Sequence, residues 1–145
     1  MLAECHPRSL LIGDAVMPRI RPAEIVEAWQ KHGEPLLVPA GSVIFNAEEQ
    51  GTTMYGLLEG EVVLKRGDQE LERITAGDVF GEGAIAQDQH QRFSTAVAAT
   101  DCKLATLDRE RFLFLIHNSP VFALDVIASL STRLRAIKGS LEPSQ

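Results

Sequence analysis

The sequence predicts a mainly β domain with flanking helices: a double-stranded β-helix, or jelly-roll-like β-roll, closed by a long C-terminal helix. Three observations lead there. Between Glu34 and Leu107 the turn signals Pro39-Ala40-Gly41, Gln50-Gly51, Glu59-Gly60, Gly67-Asp68 and Ala76-Gly77-Asp78 recur at roughly 8 to 10 residues, the spacing of short strands in sandwiches and rolls. The runs between them are apolar and rich in β-branched residues, which suits strands half or fully buried in a double layer. On either side of this region the pattern turns helical. At 145 residues the chain is long enough for one proper core and too short for a second independent domain.

In chain order, residues 1–21 carry Pro7, Gly13 and Pro18 with little periodicity and are expected to form a poorly ordered N-terminal arm, in which Met17 offers a second start. Residues 22–145 are expected to form the single domain. Pro22 suits a first helical position, Ile25, Ala28, Trp29 and His32 share a face, and Gly33 stands just past the expected end, with His32 placed to meet the helix dipole. Strands are expected at Val43-Ile44-Phe45, Met54 to Leu58, Val62-Val63-Leu64, Val97-Ala98-Ala99 and Lys103 to Leu107. Asp108 reads as the N-cap of a helix whose apolar face is Phe112, Leu115 and Ile116 and which ends at Asn118. Ser119 then caps a second helix with Pro120 at its first position, Arg133, Arg135 and Lys138 loading its last turns as the macrodipole prefers, and Gly139 as its stop. Along it Ala123, Ile127, Leu130, Leu134 and Ile137 step by fours and threes, the seam of a short coiled coil. The same stripe suits packing on the roll, and spacing alone does not decide between a homodimer and self-cover.

Composition excludes several classes of function. The net charge is −6 and there is no basic run, so nothing attracts a nucleic-acid backbone in bulk. Cys5 and Cys102 lack CxxC spacing; both are expected to be reduced thiols, Cys102 as a small core residue. Leu10-Leu11-Ile12 is far too short for a signal-peptide core or a membrane span, so a cytoplasmic protein without membrane contact is expected. The four histidines, His6, His32, His90 and His117, make no local zinc or two-His-one-carboxylate spacing, and no GxSxG or Cys-His signature is present. Neither catalysis nor a metal or other cofactor is expected, and His90 reads as a solvated loop residue.

The stretch from Gly77 to Val97 carries the chemistry. Phe80-Gly81-Glu82-Gly83-Ala84-Ile85-Ala86 reads as a strand end turning into one helical turn, whose first amides lack intrahelical acceptors and suit a phosphate. Arg92 adds a planar fork of donors for phosphate oxygens, and Glu82 an acceptor for a sugar hydroxyl. Taken alone, a Glu and an Arg in one loop are more often a solvated surface pair. Alternation would also let Phe93 be a strand core residue turned away from the pocket, with its amide still free for phosphate, as readily as a ring that fills the pocket. Tyr55, Leu58 and Ile85 read as core rather than as stacking residues.

Phe80-Gly81-Glu82, Ala84-Ile85, Arg92 and Phe93-Ser94-Thr95-Ala96 together resemble the phosphate-binding cassette of the cyclic nucleotide-binding domain family, found in catabolite activator and FNR regulators, protein kinase A regulatory subunits and cyclic-nucleotide-gated channels. Pro39-Ala40-Gly41, Ile44-Phe45, Met54-Tyr55 and Gly60-Glu61-Val62-Val63 extend the resemblance upstream, and it covers about residues 20 to 138. It implies a ligand-binding set of Gly81, Glu82, Gly83, Ala84, Ile85, Arg92, Phe93 and Ser94, with cAMP or cGMP as ligand. The chain departs from the pattern at Phe93, where the family has Ser, Thr or Ala, and at Gly83, where it has Leu, Ile or Met. Ile137 and Lys138 stand where catabolite activators place hydroxyl residues against the purine. The resemblance also implies a homodimer through the C-terminal helix. The regulators continue into a winged helix-turn-helix; here the sequence runs out at Ser140 to Gln145, so the expected output is a dimer interface or an unidentified protein partner rather than DNA. The alternative is a degenerate roll that binds no nucleotide and serves as a protein-interaction module.

Overall fold

The computed structural model describes residues 10–12, 15–17, 20–31 and 33–141. In chain order the elements are β1 (Leu10–Ile12), β2 (Ala15–Met17), α1 (Pro22–Trp29), β3 (Leu36–Val38), β4 (Val43–Phe45), β5 (Thr53–Glu59), β6 (Glu61–Arg66), β7 (Gln69–Thr75), β8 (Val79–Phe80), α2 (Glu82–Ala86), β9 (Thr95–Ala98), β10 (Cys102–Asp108), α3 (Arg109–Asn118) and α4 (Val121–Leu141). Strands β3 to β10 form two four-stranded antiparallel sheets, ordered β3-β10-β5-β8 and β4-β9-β6-β7. This is the roll that the turn spacing predicts, with the long C-terminal helix in place.

Two apolar clusters hold it. Phe45, Leu57, Val62, Leu64, Ile74, Phe80, Ala96, Ala98, Cys102 and Leu104 fill the space between the sheets, so Cys102 is the small core residue expected of it. Val26, Met54, Val79, Ile85, Ala105, Leu107, Leu115, Phe122 and Val126 form a second cluster between the β3-β10-β5-β8 sheet and the helices. Strand β10 feeds both: Cys102 and Leu104 join the first, Ala105 and Leu107 the second. Each Val, Leu, Ile, Phe or Met among them contributes about 1.5 to 3 kcal/mol on full burial. Helix α1 lies directly on β5 because Gly56 leaves room for it: a Cβ at Gly56 would stand 2.8 Å from the Cα of Ala23.

Local signals account for the helix starts. Pro22 opens α1, and the backbone N–H of Arg21 donates to Glu24 Oε1 at 3.0 Å. The Asp108 side chain accepts from the Arg111 N–H at 2.8 Å, the N-cap that the sequence predicts, and α3 ends at Asn118 as read. Helix α1 stops at Trp29, short of the expected end, because the chain turns extended at Gln30, whose Oε1 accepts from the Thr106 N–H on β10. Gly139 does not stop α4, which runs on to Leu141. Within the roll, β3 and β7 were not anticipated, whereas β8 is the strand end expected before Gly81. Strand β7 is mostly polar, with only Ile74 buried, yet the Gly67-Asp68 turn pairs it with β6 from Arg66 and Gln69 onward, with one register shift between Leu64 and Lys65.

Within the arm, β1 and β2 form an antiparallel pair that the sequence reading missed. The remainder of residues 1–19, with Cys5 and His6, and also His32 with its dipole role, lies outside the described residues.

Candidate functional site

The site is built where β8 ends. Gly81 adopts φ +81°, a left-handed conformation that L side chains rarely adopt, and so turns the chain from Phe80 directly into α2. A Cβ there would lie 3.0 Å from Arg92 Nη1 and 3.4 Å from the rings of Phe45 and Tyr55, so the glycine also admits the arginine.

Arg92 is buried, at 6% exposure. Its Nη1 donates to the Gly81 carbonyl at 3.0 Å and its Nη2 to the Thr53 carbonyl at 2.7 Å. The guanidinium lies over the Phe45 ring, 4.1 Å from the centroid, and 5.9 Å from that of Tyr55. Burial therefore pulls its pKa below the usual guanidinium value, although the charges of Tyr55, Glu49 and Glu82 oppose the change. The loop that carries it is fixed on both sides: the Arg92 N–H donates to the Glu49 carbonyl and the Arg92 carbonyl accepts from the Glu48 N–H. His90, at φ 52°, holds the other end, with its Nδ1 2.7 Å from the Ala84 carbonyl of α2. It is thus a half-buried tether of the turn, not the solvated loop residue expected.

Glu82 is the first residue of α2, and its Oε1 is buried without a hydrogen-bond partner. Burial raises its pKa above the ordinary carboxylate value; Arg133 and its own backbone N–H pull the other way, while Glu72 and Asp78 add to the rise. Arg133 reaches this point from α4. Its Nε donates to Glu72 Oε1 at 3.0 Å and its Nη1 to the Val79 carbonyl at 2.8 Å and to Ser129 Oγ at 3.2 Å. Burial works against the charge of Arg133, but the Glu72 hydrogen bond and the charges of Glu82, Glu72 and Asp78 outweigh it and hold the pKa above its usual value.

A cavity of about 210 Å³ joins these groups, lined by Gly81 to Ala84, Arg92 and Ser94 together with Glu72 and Arg133. Of the predicted set, Gly81, Glu82, Gly83, Ala84, Arg92, Phe93 and Ser94 line it. The Ile85 side chain does not; it is in the outer core, as expected of it. Leu58 borders the same core, and Tyr55 packs against the inner one, stacked on Phe80 at 5.3 Å. At Gly83 a Cβ would meet nothing within 4 Å, so packing does not enforce that glycine. Phe93 follows neither expectation. Strand β9 begins only at Thr95, so no alternation turns Phe93 into the core, and its ring stays 70% exposed at the cavity rim with the Arg66 guanidinium 4.6 Å from its centroid.

Sequence reasoning missed Arg133 and Glu72. It assigned Arg133 to the helix dipole, although Phe122, Val126, Ser129 and Arg133 step along the face of α4 that meets the roll, and a charged residue at the end of a buried stripe signals an internal partner. Glu72 lies on the strand that was not anticipated.

The raised pKa of Glu82 carries a sign. The folded state holds the Glu82 proton more tightly than the unfolded chain, so its contribution is fully present below the ordinary carboxylate pKa and is lost as pH rises through the folded value. Glu82→Gln is therefore expected to melt above wild type at neutral pH, with the two curves converging as the pH falls into the acid range. Thermal unfolding of the unliganded protein across that range checks it.

Among the described residues no group of three or more His, Cys, Asp or Glu is placed to hold a metal ion, and no single helix is long and apolar enough to cross a membrane. Residues 35–119 match the family model for the cyclic nucleotide-binding domain. Over 104 residues the chain is 38% identical to the cyclic AMP receptor protein of Thermus thermophilus, covering 68% of this chain and 48% of that one. It is 37% identical over 100 residues to a cyclic nucleotide-gated potassium channel of Rhizobium etli, covering 69% of this chain and 26% of the channel. The crystal structure of the Thermus thermophilus catabolite activator protein superposes with a TM-score of 0.67 at 28% identity, over 83% of this chain and 57% of that one. The chain thus spans about half the length of the regulators it matches. With its cassette, its roll and a family model matched over more than half its length, the chain belongs to the cyclic nucleotide-binding domain family.

Proposed function

We propose that this domain is a sensor that binds a cyclic mononucleotide, cAMP or cGMP, and passes its state to a partner through α4, as a homodimer in the cytoplasm. The phosphate rests on the amides of Gly83 to Ile85 and on Arg92, and Glu82 accepts from the ribose 2′-hydroxyl. One observation carries this reading: the buried, unpartnered Oε1 of Glu82, the residue that opens α2, at a cavity that Arg92 also lines. A buried acceptor without a partner costs about 1 to 3 kcal/mol, which a hydroxyl donor would recover. The relatives named for cyclic AMP and for cyclic nucleotides support the ligand class. A melting scan against cAMP and cGMP tests it. A nucleotide at a hundred times its dissociation constant adds about 2.7 kcal/mol to the folded state, so a clear upward shift is expected, and no shift at millimolar nucleotide overturns the reading.

A second reading, a roll that binds no nucleotide and serves as an interaction module, is favoured by one feature. Both hydrogen bonds of the Arg92 guanidinium go to backbone carbonyls, so it is already built into the turn. On that reading Arg92→Lys leaves nucleotide response absent and partner binding intact.

A further inference from the structure

We propose that Glu72 selects the base of the bound nucleotide and that the base it selects is guanine, so that cGMP is the preferred ligand. This rests on reading the cavity as a cyclic nucleotide site. A second cavity, also about 210 Å³, adjoins the first beneath the end of α4 and shares Glu72 and Arg133 with it. Leu71, Arg73, Ala136, Ile137 and Ser140 complete its lining, with the Arg73 guanidinium engaged by Glu70 and Glu61. With the phosphate held between α2 and Arg92 and the ribose at Glu82, the base extends away from Arg92. The charged groups whose fields act on Glu82 are Arg133, Glu72 and Asp78. Asp78 is engaged by Ser129 and by its own strand, through the Val79 N–H, which leaves Glu72 as the carboxylate facing both cavities.

The chemistry of the edge then decides the base. An ionised carboxylate only accepts hydrogen bonds and has about four acceptor positions, of which the Arg133 Nε–H occupies one. Guanine presents N1–H and the 2-amino group side by side, two donors that match one carboxylate. Adenine presents the N1 lone pair there, which a carboxylate repels. The apolar Leu71, Ala136 and Ile137 supply faces for the ring, and adenine, with one amino group beside its N1 lone pair, offers the carboxylate a single donor where guanine offers two.

Calorimetric titration of the full chain with cGMP and with cAMP tests the assignment. Wild type is expected to bind cGMP about tenfold or more tightly than cAMP, a difference of about 1.4 kcal/mol or more. Glu72→Gln keeps an oxygen for Arg133 but puts an amide N–H toward the guanine donors, so it should weaken cGMP, leave cAMP nearly unchanged and bring the ratio close to one. A melting curve of the variant checks that it folds. Equal or tighter binding of cAMP by wild type, or a ratio unmoved in Glu72→Gln, overturns the role of Glu72 and leaves the nucleotide site standing. Binding of neither nucleotide overturns both.

Discussion

Arg92→Ala should abolish the nucleotide-dependent rise in melting temperature and also weaken the unliganded fold by at least about 3 kcal/mol. The second effect follows from geometry. The Gly81 and Thr53 carbonyls lose their donors, each at a cost of about 1 to 3 kcal/mol when left buried, and the Phe45 ring loses a cation worth about 1 kcal/mol. The first follows because Arg92 is the guanidinium that the cavity offers beside the start of α2. Arg92→Lys separates the two effects: it restores a charge and some donors to the turn but cannot present a planar fork to two phosphate oxygens. Urea unfolding with and without nucleotide reads both. A lysine variant that recovers stability yet stays weak for nucleotide supports the proposed role, and one that binds as wild type does contradicts it.

Leu130→Glu should turn a dimer into a monomer. On α4 the buried Phe122 and Val126 face the roll, while Ile127 is 60% and Leu134 51% exposed, with Leu130 also on the open side. The roll therefore does not cover the stripe. Burying one such side chain against a second copy contributes about 1.5 to 3 kcal/mol, and several would be gained per protomer. A glutamate at position 130 sets like charges across a parallel seam, yet the site is 36% exposed in the isolated domain, so its carboxylate can reach solvent and the fold should survive. Sedimentation at micromolar concentration distinguishes the states. If wild type itself sediments as a monomer at high concentration, the proposed route of signalling through α4 fails.

The roll was legible because its turns are punctuated by glycine and proline at regular spacing, and because β4, β5, β6 and β10 are apolar enough to stand out. Strands β3 and β7 were not. Strand β7 reads QELERIT, whose outward face is charged and whose place in the sheet comes from the hairpin with β6, a pairing that composition does not announce. At the site, Gly81, Glu82 and Arg92 were legible as a local motif since they are close in sequence. Glu72 and Arg133 are 61 residues apart, and only the docking of α4 brings them together. Phe93 shows the limit of alternation, which applies inside a strand and says nothing of the two residues before one.

The most direct test of the central claim compares cGMP and cAMP with their 2′-deoxy counterparts by titration of the wild-type chain. If Glu82 holds the ribose, one nucleotide binds per chain, and removing the 2′-hydroxyl leaves the buried carboxylate oxygen without its donor. Such a loss, about 1.5 to 3 kcal/mol for a hydrogen bond to a charged group, weakens binding about tenfold to a hundredfold. Equal affinity for the deoxy forms, or no heat from any of them at millimolar concentration, would contradict the account.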